Sequence, residues 1–315
     1  MNNLISTNQS VFVKGRRLVD GVVAVNEVID VARKSKKECL IFKVDFEKAC
    51  DSISWNFLEY MMVRLGFSGR WHSWIRARVF RGKLYVLVNG SPTEEVDIQR
   101  GLKQGGPLAP FLFLLVVEGS SGLVRSAGFK VANSGLPISH LQYADDTLFV
   151  EEATMENLWV LKTILRCFEF MCGLKVNFFK SFIMGVNVGA DFIGLAERFL
   201  YYRVGLVPFT YPCLPVGVNP RLEKTWQPLL QLLASRLGSW GNKYVSLGGR
   251  VVLLNFVFNA ISTFYMSIMK MPTMVWKKIV RIQREFLWGG VKRSKSIPWV
   301  SWLVVCKPKS EGGLV

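Results

Sequence analysis

The 315 residues are half hydrophobic and carry 40 Lys and Arg against 23 Asp and Glu, a net charge of +17. That balance excludes a disordered or fibrous chain, leaves enough apolar surface for two or so domains, and suits a polyanionic partner such as nucleic acid. Six cysteines without a Cys-x-x-Cys pair and only two histidines, His72 and His140, exclude a disulfide framework and a zinc module within the chain. The charge is uneven, since residues 221–315 hold 15 basic and 3 acidic side chains against 25 and 20 in residues 1–220.

Residues 40–46 (LIFKVDF) read as a buried strand that Asp45 interrupts near its end. Ser52 or Ser54 can then cap a helix whose face is Trp55, Leu58, Met62 and Leu65, stopped by Gly66. Residues 84–88 and 95–98 flank Asn89-Gly90, a pair that accepts the positive φ values of a tight hairpin turn. Gly105-Gly106-Pro107 opens a helix at Pro107 that continues through the apolar residues 108–117. Two β-prone runs, 138–143 and 147–150, bracket Ala144-Asp145-Asp146 and place two adjacent carboxylates at a hairpin tip. Thr154 caps a helix carrying Leu158, Leu161, Leu165 and Phe168 up to Gly173, and residues 174–184 return as a strand. Residues 251–269 are nineteen without a charge, long enough to span a bilayer. Asn255, Asn259, Ser262, Thr263 and Ser267 would be penalised by lipid, so the stretch reads as a buried helix of a larger fold. The sum is an α+β chain.

Asp45, Asp145 and Asp146 carry the chemistry. If their strands pair side by side, Asp45 and Asp145 meet across the sheet in an oxygen-only cluster, the ligand set that hard cations such as Mg²⁺ prefer and complete with phosphates and water. Two such ions roughly 3.5 to 4 Å apart activate a hydroxyl and stabilise a departing pyrophosphate in nucleotidyl transfer. Adjacent aspartates alone are ordinary turn chemistry, so the context decides.

That context resembles the reverse transcriptases of non-LTR, LINE-like retrotransposons of the plant type. Tyr143-Ala144-Asp145-Asp146 resembles their YADD box, and Lys43-Val44-Asp45-Phe46-Glu47-Lys48-Ala49 their first palm motif. Arg100-Gly101-Leu102-Lys103-Gln104-Gly105 with Pro107-Leu108 and Pro110 is similar to the glycine-rich motif between them. Gly173-Leu174-Lys175-Val176-Asn177 with Lys180-Ser181 is similar to the following motif, and Leu214-Pro215-Val216-Gly217 to the primer-grip hairpin. Upstream, Asn8-Gln9-Ser10, Phe12-Val13 and Lys14-Gly15-Arg16 resemble the segment before the palm. Six ordered motifs span nearly the whole chain.

The resemblance implies a right-hand polymerase fold: a partial fingers segment over 1–39, a ferredoxin-like palm with its insertions and grip hairpin over 40–220, and a basic helical thumb or connection over 221–315. It implies an RNA-directed DNA polymerase with Asp45, Asp145 and Asp146 as catalytic, metal-binding carboxylates, Asp45 and Asp145 being the direct ligands. The cofactor would be two Mg²⁺ ions, with Mn²⁺ as a substitute. Phe46, Cys50, Gln104, Gly105 and Lys180 would meet the nucleotide or template, Lys180 by neutralising or protonating pyrophosphate. Lys277, Lys278, Arg281 and Arg284, at helical spacing, would hold the duplex backbone; their alternative is an ordinary solvated helix face. Partners would be an RNA template, a DNA primer and deoxynucleoside triphosphates, without a membrane and with oligomeric state open. The opening Met-Asn-Asn-Leu-Ile-Ser is no secretory signal, so an intracellular site, nucleus or cytoplasm, is expected.

Three departures stand out. Cys50 replaces the aromatic that resembles a gate against the ribose 2′-hydroxyl. Gly106 replaces an aspartate that would cap the helix, with Ala109 in place of a serine. Tyr211-Pro212-Cys213 places a proline in the grip hairpin, which removes a ladder donor and predicts distortion. The resemblance further implies a truncated copy that begins after the arginine-bearing fingers segment, lacks an endonuclease domain, and ends before the Cys/His-rich module. An inactive remnant that only binds nucleic acid is the alternative function. An intron maturase shares the YADD box, but residues 8–16 and 173–181 argue against it.

Overall fold

The computed structural model describes residues 4–126, 139–211, 214–239, 245–289 and 299–314, in two units, Met1–Gly217 and Val218–Val315. The first is organised around β1 (Cys39–Val44), whose residues are buried except for the half-buried Lys43. Along the chain α1 (Leu18–Ser35) precedes β1, and α2 (Trp55–Arg64) and α3 (Gly69–Arg78) follow it. Four two-residue strands come next, β2 (Lys83–Leu84), β3 (Leu87–Val88), β4 (Ser91–Pro92) and β5 (Val96–Asp97). Then come α4 (Ala109–Ser126), β6 (His140–Tyr143), β7 (Asp146–Glu151), α5 (Met155–Cys172), β8 (Phe182–Val186), α6 (Ala190–Leu200) and β9 (Arg203–Val204). The hairpin of β10 (Phe209–Tyr211) and β11 (Leu214–Val216) closes the unit.

Five strands form one sheet in the order β6-β7-β1-β8-β9, with β1 antiparallel to both β7 and β8. Side chains alternate across a strand, so Leu40, Phe42 and Val44 share one face and Ile41, Lys43 and Asp45 the other. The first face is apolar: Phe42 and Val44 share a core with Leu58 and Met62 of α2, Leu114 and Val117 of α4, and Leu158 and Phe168 of α5. On the opposite side α1 packs along β6, β8 and β11, and Phe209 of β10 sits edge-on to Phe182 of β8, with ring centroids 6.3 Å apart.

The capping residues act as their sequence suggests. Ser54 accepts the Phe57 amide, Thr154 accepts the Asn157 amide, and Gly173 ends α5 in the left-handed conformation at φ 82°. Asn89 and Gly90 both take positive φ in the β3–β4 turn. Three expectations are corrected. Helix α4 begins at Ala109, because residues 106–109 close a turn in which Ala109 donates to the Gly106 carbonyl, so Gly106 is not its cap. Residues 174–184 are not one strand: Val176 makes an isolated antiparallel bridge to Phe46, residues 178–180 turn, and β8 starts only at Phe182. The α2 face includes buried Phe57 and Met61, while Trp55 is half-buried, with its indole N–H donating to the Gly101 carbonyl at 2.7 Å.

In the second unit a 3₁₀ turn, Glu223–Trp226, leads into α7 (Gln227–Ser239). Helix α8 (Leu247–Leu253), a π turn (Leu254–Phe258) and α9 (Asn259–Met266) follow, then α10 (Thr273–Trp288) and α11 (Trp302–Val305). Trp226 is fully enclosed and donates to the Pro220 carbonyl at 2.8 Å. Among the described residues Leu247–Met266 is the one helix long and apolar enough to cross a membrane. It is not the wholly buried helix expected: Leu254, Phe258, Ser262 and Tyr265 are buried in one stripe, whereas Val252 and Phe256 are exposed.

Glu151, at the end of β7, is completely enclosed, and neither carboxylate oxygen has a hydrogen-bond partner among the described residues. Burial pushes its carboxyl up to about 8. Its protonated form therefore favours the fold, and stability falls as pH rises from the ordinary carboxylate range through about 8. We expect denaturant unfolding to register that loss, at most about 1.4 kcal/mol per pH unit, between pH 5 and pH 9, and Glu151→Gln to flatten it.

Candidate functional site

The ladder of β1 and β7 ends at the pair Val44 and Thr147, and Tyr143 pairs with Asp146 across the β6–β7 turn. One step beyond Val44, the register sets Asp45 beside Asp146, with Asp145 in the two-residue turn. The neighbour of Asp45 in the ladder is thus Asp146, not Asp145 as expected from strand pairing alone. Ala144, the other turn residue, holds φ at 53°, as the first central position of a II′ turn requires.

Lys43 and Lys180 are the counter-charges. Lys43 Nζ lies 3.2 Å from Asp146 Oδ1, and Lys180 Nζ lies 3.9 Å from Asp45 Oδ1. Asp146 Oδ1 is enclosed and makes no hydrogen bond, so the Lys43 contact is an ion pair without hydrogen-bond alignment. Asp45 is raised above the usual carboxylate range, first by desolvation; the pull of Lys180 is opposed by Asp146 and Asp145. Two lysines thus leave the cluster with negative charge to spare. An all-carboxylate donor set, an enclosed oxygen without a hydrogen bond, and an acid raised chiefly by desolvation fit a hard cation. Among the described residues no three acidic, His or Cys side chains converge closely enough to hold an ion unaided.

The main chain around Asp45 is fixed on both sides. Its amide donates to Ser181 Oγ at 3.1 Å, and its carbonyl accepts the Asn177 amide at 2.8 Å. Asn177 Oδ1 in turn accepts the Phe179 and Lys180 amides, and this side-chain turn presents Lys180 to Asp45. Cys50 is half-buried, and its thiol is raised by desolvation and then by Asp51 and Asp145, which sets it beside the cluster. Its loop is clamped from two directions: Gly101 and Leu102 donate to the Ile53 and Cys50 carbonyls, and Ser54 donates to the Cys172 carbonyl. At Gly101 a Cβ would come within 2.7 Å of the Asp51 carbonyl oxygen, and at Gly173 within 2.6 Å of that of Ser52. Both glycines hold positive φ, so close backbone approach and conformation require the same residue.

Gln104 lines a cavity of about 720 Å³ together with Trp55, Arg78, Lys83, Arg100 and Lys103, and Gly105 beside it is exposed at φ 79°. Phe46 is not brought to the site surface. Its ring is buried against Phe168, so the expected nucleotide contact does not follow from its side chain. On α10, Lys278 pairs with Glu223, Arg281 with Glu285 at 2.7 Å, and Arg284 lies over the Trp302 ring. Lys277 is exposed, with no ion pair among the described residues. Surface pairs of this kind are worth ~0 to 1 kcal/mol and yield to a stronger anion. Pro212 and Cys213 lie outside the described residues, although Phe209 to Tyr211 pair in register with Leu214 to Val216. No local pattern in the sequence gives Gln9 or Ser181 a role, because hydrogen bonds to distant backbone leave no periodic signal.

These features define an α+β chain built around an acidic hairpin, and residues 1–196 match the family model described as reverse transcriptase (RNA-dependent DNA polymerase). The chain belongs to the reverse transcriptase family. It is 25% identical over 321 residues to the transposon TX1 uncharacterized 149 kDa protein of Xenopus laevis, covering 98% of this chain and 24% of that protein. It is 28% identical over 206 residues to a retrovirus-related Pol polyprotein from the type-1 retrotransposable element R2 of Popillia japonica, covering 62% and 29%. The chain thus resembles non-LTR, LINE-like elements and spans about a quarter of the length of these relatives. A solved structure of apo telomerase from Candida tropicalis aligns at 13% identity and TM-score 0.48, covering 87% of this chain and 49% of that one. Reverse transcriptases as a family act with divalent metal ions.

The raised carboxyl of Asp45 means that its ionisation costs stability. Asp45→Asn should therefore raise the melting temperature at neutral pH, and the difference should vanish as pH falls below the ordinary carboxylate range, where both side chains are neutral.

Proposed function

We propose that this chain is the polymerase core of a plant-type LINE-like reverse transcriptase and extends a DNA primer on an RNA template. The observation that carries the reading is the register that sets Asp45 beside Asp146 at the end of the central ladder, with Asp145 in the adjoining turn and Lys180 facing Asp45. Asp45, Asp145 and Asp146 would hold two Mg²⁺ ions, which Mn²⁺ can replace. When bound, such ions lower the pKa of a hydroxyl and stabilise charge on phosphate oxygens. The primer 3′-oxygen attacks the α-phosphorus of the deoxynucleoside triphosphate. The bond from that phosphorus to the bridging oxygen breaks, and pyrophosphate leaves while the hydroxyl proton is lost. Lys180 stands where it can neutralise or protonate the leaving pyrophosphate. Gln104 and Gly105 would lie along the template and incoming nucleotide, beside the cavity lined by Arg78, Arg100 and Lys103. The basic residues 221–315 would hold the duplex as thumb or connection, with Lys277, Lys278, Arg281 and Arg284 of α10 on its backbone. The plant-type reading rests on Asn8 to Arg16 and Gly173 to Ser181, and the nucleus or cytoplasm is the proposed site of action.

Extension of oligo(dT) on poly(rA) with Mg²⁺ and dTTP tests the reading directly. The unaltered chain should extend the primer, and Asp145→Ala with Asp146→Ala should abolish extension while leaving the chain folded. A folded chain that binds the duplex and does not extend it would make the protein a binding remnant instead.

Cys50 would stand at the position whose aromatic ring resembles a gate on the sugar, and a thiol there would leave more room for a 2′-hydroxyl. Cys50→Phe should raise discrimination against ribonucleotides, by on the order of tenfold or more, read as the ratio of kcat/KM for dTTP and UTP. Equal ratios would show that this position does not sense the sugar.

A further inference from the structure

The turn that carries Asp145 is held from outside its own sheet. Residues 8–10 lie along the free edge of β6: the Gln142 amide donates to the Asn8 carbonyl at 2.8 Å, and the Ser10 amide to the Gln142 carbonyl at 3.0 Å. Gln9 between them is 1% exposed. Two backbone amides, Val11 at 3.3 Å and Ala144 at 3.2 Å, converge on one atom of its side chain. Only an oxygen can accept both, so the carbonyl end of the amide faces the turn. Gln9 Nε2 is enclosed and makes no hydrogen bond. A residue that merely filled this space would be apolar and leave no orphaned amino group. What the glutamine alone supplies is the acceptor for Ala144, a non-glycine residue held at positive φ immediately before Asp145. Arg16 secures the other side of the same segment, donating to the carbonyls of Ser6, Gln9 and Ile5, the last two at 2.7 Å.

We infer that Gln9 is a positioning residue of the carboxylate hairpin: its side-chain carbonyl holds the Ala144 amide and so the left-handed turn that aims Asp145 and Asp146. A carboxylate at position 9 would accept the same two amides and so keep the hold on the turn. Through the hairpin, the segment ahead of α1 becomes part of the apparatus that sets site geometry. The catalytic consequence rests on the polymerase reading; the hydrogen bond and its hold on the turn do not.

Gln9→Met, which keeps volume and removes the acceptor, and Gln9→Glu, which keeps the acceptor and adds charge, separate the roles. In the metal-free, substrate-free chain, amide hydrogen exchange at Ala144 should be about tenfold faster in Gln9→Met and unchanged in Gln9→Glu, the factor expected for one lost hydrogen bond. On poly(rA)/oligo(dT), Gln9→Met should lose about tenfold to a hundredfold in kcat with KM for dTTP little changed. Gln9→Glu, which restores the acceptor, should recover most of that kcat, a rescue that follows the hydrogen bond rather than the volume of the side chain. A folded Gln9→Met chain with unchanged exchange at Ala144, or with faster exchange and unaltered kcat, would overturn the inference. Should Gln9→Met not fold, Gln9→Glu decides: lost protection at Ala144, or kcat lost while that protection is kept, refutes the role. If the unaltered chain extends no primer, the polymerase reading fails, and the exchange comparison still judges the hold on the turn.

Discussion

Three carboxylates must stand together without flying apart, and unit 1 is arranged around that requirement. Two like charges about 4 Å apart would repel by about 4 kcal/mol at an effective dielectric near 20, and less as they separate. Lys43 and Lys180 reduce the repulsion but leave Asp45 raised, so charge alone does not hold the cluster. Main-chain bonds do the rest. The β1–β7 ladder fixes Val44 against Thr147, Ser181 and Asn177 bind the two peptide groups of Asp45, and the β6–β7 pairing closes the turn around Asp145.

The same sheet separates stability from chemistry by alternation. Leu40, Phe42 and Val44 face the helices α2, α4 and α5 and carry the apolar core. Lys43 and Asp45 face the other way, where a charged cluster would otherwise sit on bare sheet; α1 and the β10–β11 hairpin pack over that side instead. The glycines at 101 and 173 let two loops approach the Cys50 loop at backbone distance, so the residue beside the carboxylates is held as firmly as the strand it follows.

The sequence disclosed what depends on local pattern. The β1 run, the caps at Ser54 and Thr154, the stop at Gly173 and the acidic turn were all legible, because each is set by neighbours within a few residues. Helix α1 carried a readable signal in Val22, Val25, Ile29 and Ala32, one apolar stripe, and was not assigned. Helix α3 could not be read this way, since only Ile75 is buried and its remaining residues face solvent without a period. The position of Asp146 beside Asp45 depends on register, which composition does not encode, and the burial of Phe46 depends on α5 crossing behind it. The expected nucleotide role of Phe46 and the expected capping role of Gly106 both came from family letters whose local geometry differs here.

The edge pairing of residues 8–10 with β6 also fixes an order of events during synthesis. Asn8 meets Gln142 only after more than 130 further residues have been joined, so this segment waits for a partner made much later. At 5–20 residues per second that interval lasts roughly 7 to 27 s. Contacts of such sequence separation form slowly because closing the intervening loop costs entropy before any bond is gained. Through that interval residues 8–10 have no β6 edge to pair with, and an extended segment of that kind can be taken up by another exposed strand edge.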